Sequence, residues 1–202
     1  MKIDFNTLDQ LAWKKMSGIL PCTVQHALSG EVLMQAYMNI EALKESLTTG
    51  KTTFYSRSKE RLWTKGESSK NYLHLKGIYS DCDDDALLVH ALPDGQTCHL
   101  GNRSCFDVAP KPLLHELDAL IAGRKNANAS ESYTAKLFAK GIKRAAQKVG
   151  EEGVEVALAA ATKDKSELVN ESADLLYHLL VVLQASDLNL YDVLEVLNKR
   201  RG

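Results

Sequence analysis

Five consecutive residues, Asp81-Cys82-Asp83-Asp84-Asp85, put four carboxylates and a thiol into one short stretch. Like charge at that density is costly unless a cation sits among the side chains. In an extended segment Asp81, Asp83 and Asp85 would point to one side and Cys82 to the other, because side chains alternate along a strand. Carboxylate oxygens suit Mg²⁺, Mn²⁺ or Ca²⁺, whereas a thiolate suits Zn²⁺. The stretch therefore offers donors for two different metals; the competing reading is a solvated acidic turn with a buried cysteine. An EF-hand is excluded. A loop begun at Asp81 puts Ala86 at the obligatory glycine, and one begun at Asp83 puts Leu88 there.

Two further cysteines lie downstream, Cys98 (next to His99) and Cys105. Their spacing is not that of a zinc finger, whose paired ligands are closer. Three cysteines gathered by a fold would still hold zinc and leave one position open for water, whose pKa zinc lowers toward ~7. His99 is the candidate proton carrier, against the plainer reading of a polar surface histidine. Cys22 has no nearby partner and reads as core. Between two strand-like runs, Arg61-Leu-Trp63-Thr-Lys65-Gly-Glu67-Ser68-Ser69 reads as a polar, cationic loop, with Arg57 just before it. Lys, Arg and hydroxyl groups all donate to phosphate oxygens. Arg57, Trp63, Glu67 and Ser68 are thus candidate substrate contacts and Lys65 a candidate catalytic cation, although a solvated charged loop has the same composition.

A second carboxylate set lies in the C-terminal half. Glu152 and Glu155 are three apart on one helical run, and Glu171 and Asp174 three apart on the next, so each pair shares a face. If the two helices are antiparallel neighbours, four carboxylates meet beside the core and need a cation. Lys148 shares the face of Glu152, and Lys136 lies on the preceding helix among other cations. Carboxylates holding Mg²⁺ beside phosphate-binding lysines are what hydrolysis of a nucleoside triphosphate requires.

The elements that must position these groups divide near residue 110. Before it, Gly, Pro, Cys and aromatic residues punctuate short runs; Pro110 and Pro112 break regular structure, and no proline follows. Two domains are expected, residues 1–112 of α+β type (mainly antiparallel β with short helices) and residues 113–202 as an all-α bundle. In the first, 21–27 and 31–37 flank a turn at Leu28-Ser29-Gly30. Asn39 caps a helix that Gly50 ends, and 52–57, 72–79 and 86–92 read as strands. In the second, helices are expected over 113–122, 132–140, 142–161, 167–185 and 189–200. Asp164 and Glu167 have capping-box spacing, and on the fourth of these helices Leu168, Ser172, Leu175, Leu176, Leu179 and Leu183 read as the apolar stripe.

The formal net charge of −1 argues against nucleic acid or an anionic membrane as partner. The N-terminus lacks a signal peptide's apolar core and no apolar run approaches ~20 residues, so a cytoplasmic protein with reduced thiols is expected.

These residues resemble a known family, the fused phosphoribosyl-AMP cyclohydrolase and phosphoribosyl-ATP pyrophosphatase of histidine biosynthesis. The first half carries Gly30-Glu-Val-Leu-Met34, Phe54-Tyr-Ser-Arg57, Leu62-Trp-Thr-Lys-Gly-Glu67, Asp81 to Asp85, Cys98-His99 and Ser104-Cys-Phe106. The second carries Ser132-Tyr-Thr-Ala-Lys-Leu137, Lys148-Val-Gly-Glu-Glu-Gly-Val-Glu155 and Asn170 to His178, and is similar to the MazG-type all-α pyrophosphohydrolases. The resemblance implies Zn²⁺ on Cys82, Cys98 and Cys105, shared across a homodimer, and Mg²⁺ on Asp81, Asp83 and Asp85. It implies a second Mg²⁺ on Glu152, Glu155, Glu171 and Asp174. Phosphoribosyl-ATP would lose pyrophosphate first. The adenine ring of phosphoribosyl-AMP would then be opened by water adding at C2 with rupture of N1–C6. One departure is Lys70, where the family usually has glycine. A pyrophosphohydrolase with a regulatory metal-binding module, or a zinc-stabilised binding protein, remain the other classes open to these residues.

Overall fold

A computed structural model describes residues 1–130 and 132–201. Glu131 and Gly202, both inside the expected second domain, lie outside the described residues. The chain packs as two compact units, Met1–Pro110 and Lys111–Gly202, and the expected fold classes hold for both.

The first unit is a four-stranded sheet in the order β2-β1-β6-β5, with a two-stranded ribbon, β3-β4, beside it. Strand β1 (Leu20–His26) buries Leu20, Cys22, Val24 and His26 on alternate positions, the period-2 signature of a half-buried strand. It pairs antiparallel with β2 (Val32–Met38) and parallel with β6 (Leu87–Pro93), which pairs antiparallel with β5 (Leu73–Ser80). Helix α1 (Ile40–Thr49) begins where the Asn39 side chain accepts the Ala42 amide, and ends at Gly50, whose φ of 68° suits glycine. Ser46 on α1 binds the backbone of Thr53 through its hydroxyl, fixing the helix against β3 (Thr53–Ser56). Leu20, Leu33, Met38, Leu43, Phe54 and Ile78 are among the fully buried core side chains.

The segment read as a cationic loop begins as a strand. Arg61–Thr64 is β4, paired with β3 from Thr53↔Thr64 to Ser56↔Arg61. The two threonine hydroxyls meet at 2.9 Å, and Trp63 packs its ring 5.0 Å from that of Phe54. Cross-strand pairing of this kind outweighs the polar ends that suggested a loop.

The second unit comprises α2 (Leu113–Gly123), α3 (Tyr133–Ala139), α4 (Ile142–Thr162), α5 (Lys165–Ala185) and α6 (Leu190–Arg200). Helices α4 and α5 form a hairpin through Lys163 and Asp164. Asp164 accepts the amides of Ser166 and Glu167, starting α5 two residues before the expected boundary, while the reciprocal capping box is at Asn189 and Asp192. The stripe expected on α5 is displaced. Leu180, Val181 and His178 are the buried residues, whereas Leu176 and Leu179 are exposed. Within one chain α5 packs against α4, α2 and α3, and Leu176 and Leu179 lie on the surface left open.

Candidate active sites

In the first unit the acidic stretch is a turn between β5 and β6, not an extended segment. Asp81 accepts the amides of Asp85 (3.1 Å) and Ala86 (3.2 Å), and Asp84 takes a φ of 60°. This turn, rather than the alternation of a strand, brings the carboxylates of Asp81, Asp83 and Asp85 within 4.8 Å of one another. Asp84 leaves the group to accept the Ser80 hydroxyl. Lys15 reaches in from the N-terminal segment to bridge Asp83 (2.6 Å) and Asp85 (2.5 Å). Its hydrogen bonds to both aspartates raise the Lys15 pKa, and its bond to Asp83 lowers that carboxyl's. Sequence reasoning missed Lys15. Three oxygen donors in compensated repulsion fit a hard divalent cation.

The thiols divide. Cys98 and Cys105 lie together at the ends of one loop. Burial, reinforced by Cys98, pushes the Cys105 thiol up, and the charge of Lys65 pulls it partly back. Lys65 thus lies within electrostatic reach of Cys105. The Cys98 carbonyl accepts the Gly101 amide at 3.1 Å, placing His99 on an exposed turn. The Cys105 amide donates to Leu33 of β2 at 2.8 Å, which ties the loop to the sheet. Cys82 is exposed and joins no group of three ligands within 4.8 Å among the described residues. A soft donor set fits zinc, but this chain alone brings two of its three thiols together. Cys22 is fully buried in the core and plays no part.

The remaining first-unit candidates sort by contact. Glu67 accepts the Thr64 amide at 3.2 Å and faces Arg61 at 3.5 Å, so it shapes the turn after β4. Gly66, at φ 90°, could not carry a Cβ, which would lie 2.5 Å from the Asn71 carbonyl oxygen. Lys70, the departure from the family pattern, takes a φ of 64°, the conformation that glycine favours. Trp63 and Ser68 line an open cleft with Arg61 and Glu67, and Trp63 also lines a second one with Arg57.

In the second unit, α4 buries Ala145, Glu152 and Ala159, a heptad spacing with a carboxylate at its centre. Glu152, Glu155 and Glu171 converge within 4.8 Å; Asp174, one turn further along α5, is exposed and outside that group. Desolvation, then Glu152 and Glu155, push Glu171 up to about 7. Three converging carboxylates repel one another, and the donor set fits a hard divalent cation. Lys148 is not free for phosphate: it bridges Glu151 (3.0 Å) and Glu152 (2.5 Å), and its bond to Glu152 chiefly lowers that carboxyl's pKa. His178 is buried against Glu152 at 3.5 Å, its Nδ1 bonding the Asp174 carbonyl and its Nε2 the Tyr133 hydroxyl. Lys136 is exposed on α3 and is not drawn into this network. The sequence puts His178 on the same helix edge as Glu171 and Asp174, seven and four residues before it, but does not show its burial against Glu152.

Among the described residues each unit therefore holds one convergent carboxylate group, and comparison with known proteins divides the chain the same way. A family model described as phosphoribosyl-AMP cyclohydrolase matches residues 34–107, and one described as phosphoribosyl-ATP pyrophosphohydrolase matches residues 114–201. The chain is 58% identical over 193 residues to the histidine biosynthesis bifunctional protein HisIE of Escherichia coli (strain K12), with 95% of each covered. It is 56% identical over 195 residues to the HisIE protein of Yersinia pestis, with 96% of each covered. The chain belongs to the HisIE family. The resemblance drawn from its motifs is thereby borne out. Membership in the HisIE family makes a metal-dependent hydrolase of the chain. No helix among the described residues is long and apolar enough to cross a membrane.

Proposed function

We propose that the two carboxylate groups serve consecutive hydrolyses in histidine biosynthesis. The second unit releases pyrophosphate from phosphoribosyl-ATP, and the first opens the adenine ring of the resulting phosphoribosyl-AMP. The observation that carries the reading is the separation of two convergent ligand groups into two compact units, each matching its own family model.

In the second unit Glu152, Glu155 and Glu171 would hold Mg²⁺, with Asp174 one turn away as a further ligand. Bound there, the ion supplies a counter-charge for the polyphosphate and polarises water and phosphoryl oxygens. Lys148 and His178 act on the carboxylate rather than on substrate: both fix Glu152 in the buried face of α4. Lys136 is the exposed cation left for the polyphosphate.

In the first unit Cys98 and Cys105 supply two zinc thiolates, and Cys82 of a second copy supplies the third. Exposed Val154, Leu158, Val169, Leu176 and Leu179 on the α4–α5 hairpin also support a homodimer. Zinc on these thiolates supplies a Lewis acid that makes water nucleophilic near neutral pH. Asp81, Asp83 and Asp85 would hold Mg²⁺ in place of Lys15. Rupture of N1–C6 sends the water oxygen to C6, which becomes the carboxamide carbon, and a proton to N1. C6 rather than C2 is thus the carbon attacked. Lys65, within electrostatic reach of Cys105, and His99, on its exposed turn, would move that proton. Arg57, Trp63 and Ser68 bind substrate, with Glu67 holding their turn.

The test follows both products from phosphoribosyl-ATP. Cys98→Ser should abolish ring opening and lower bound zinc while pyrophosphate release continues, and Glu152→Gln should abolish pyrophosphate release while ring opening of added phosphoribosyl-AMP continues. Ring opening that persisted at full rate in Cys98→Ser would refute the zinc assignment.

A further inference from the structure

β2 and the turn that leaves β3 frame an open cleft of about 510 Å³, walled by Gln35, Tyr37, Tyr55, Ser56, Arg57 and Trp63. The Cζ of the Arg57 guanidinium sits over the Tyr37 ring, 3.7 Å from its centroid. Arg61, Arg103 and Arg144 each pair with a carboxylate. Arg57 has no such partner among the described residues, and no acidic side chain lines the cleft. A ring beneath the guanidinium covers its face and sets its plane, while leaving the N–H edge open. That is the fork that matches two oxygens of a phosphate. Beside it, the Ser56 and Ser58 hydroxyls stand 3.5 Å apart and add donors. Tyr55 and Trp63 supply flat apolar walls.

Strand β2 links the cleft to the thiol pair. Cys105 is bonded to Leu33 of β2, and at ~3.3 Å per residue Tyr37 stands about 13 Å further along that strand. Trp63 is two residues from Lys65, whose charge reaches Cys105. A nucleotide gripped by its phosphate at Arg57 can therefore extend its base toward the thiols.

We propose that the stacked Tyr37–Arg57 pair is the phosphomonoester subsite of the ring-opening unit, holding one of the two 5′-phosphates of phosphoribosyl-AMP. Arg57 binds the phosphate, and Tyr37 is a positioning residue that fixes the guanidinium plane. This subsite rests on the ring-opening activity proposed above.

Steady-state ring opening of phosphoribosyl-AMP by the full chain tests it, with AMP and adenosine as competing probes. AMP should inhibit the wild type more strongly than adenosine does. Arg57→Gln should raise KM roughly 10- to 100-fold with kcat little changed, and should erase the preference for AMP. Arg57→Lys should rescue only in part, since an ammonium cannot lie flat on the ring. Tyr37→Leu should raise KM by roughly 2- to 5-fold, and Tyr37→Phe, which keeps the ring, should restore it. Pyrophosphate release from phosphoribosyl-ATP by the other unit reports that each variant is folded. An unchanged KM in Arg57→Gln, or equal inhibition by AMP and adenosine, would overturn the subsite. A wild type that opened no ring would overturn the activity beneath it instead.

Discussion

Glu152 on α4 and His178 on α5 face each other at 3.5 Å with 3% and 4% of their surfaces exposed, one carboxylate and one imidazole inside a helical hairpin. Buried polar groups persist only when their partners are complete. Lys148 completes Glu152, and the Asp174 carbonyl and the Tyr133 hydroxyl complete His178. Nδ1 donates to the Asp174 carbonyl, which can only accept, and in that tautomer of the neutral ring Nε2 accepts from Tyr133. A side chain on α3 thereby orients a group packed against the carboxylate cluster of α4 and α5.

Removing that hydroxyl should be felt at the cluster. Tyr133→Phe leaves Nε2 without its protein donor, and loss of a buried partner costs about 1–3 kcal/mol. Tyr133 is itself half exposed and water can replace it, which favours the lower end. The expected outcome is a loss of about 1 kcal/mol by urea denaturation, with pyrophosphate release reduced roughly 10-fold and ring opening of added phosphoribosyl-AMP unchanged. Equal slowing of both reactions would show that the pair serves only the fold.

Lys15 makes a different prediction, because it occupies the ground a cation would take. Its ammonium and a divalent ion compete for Asp83 and Asp85. Lys15→Met should therefore tighten Mn²⁺ binding to the first unit by several-fold, as read by calorimetry. Weaker binding would mean that Lys15 orders the site for the ion rather than competing with it.

How much of this was legible in the sequence follows the reach of each interaction. The Glu152 and Glu171 pairs could be read because three- and four-residue spacings on a helix are local geometry. The caps at Asn39, Asp164 and Asn189 were legible for the same reason. Strand β4 was not: its Arg61 and Thr64 look like loop residues until β3 lies beside them. Lys15 meets Asp83 from 68 residues away, and Arg57 meets Tyr37 from the far side of α1. No spacing rule connects such pairs. The gathering of Cys98 with Cys105, and the absence of Cys82 from them, likewise belong to the path of a loop.

The core cysteine supplies a pH dependence. Burial pushes the Cys22 thiol from 9.0 to about 12. Between those values the unfolded chain loses the proton and the folded chain keeps it, so the unfolded state binds fewer protons and stability falls as pH rises. The contribution is intact below pH 9 and declines across pH 9 to 12, with a slope of up to about 1.4 kcal/mol per pH unit. Tyrosines and lysines titrate in the same range, so the measurement is a difference. Wild-type stability should fall more steeply than that of Cys22→Val, and parallel curves would show that the thiol does not ionise on unfolding.

Lys70 offers the cleanest test of backbone strain. Its φ of 64° places an L side chain in the left-handed region, in the turn where its amide bonds the Gly66 carbonyl at 2.8 Å. That conformation costs roughly 1–2 kcal/mol for a residue with a Cβ, and glycine adopts it freely. Glycine also loses more backbone entropy on folding, about 0.5–1 kcal/mol, which offsets part of the gain. Lys70→Gly should thus stabilise the protein by roughly 0.5–1 kcal/mol, raising Tm by a few degrees. Lys70 is exposed, and neither carboxylate group includes it, so both hydrolyses should keep their rates. A lower Tm would mean that the lysine side chain stabilises the turn by more than its backbone strains it.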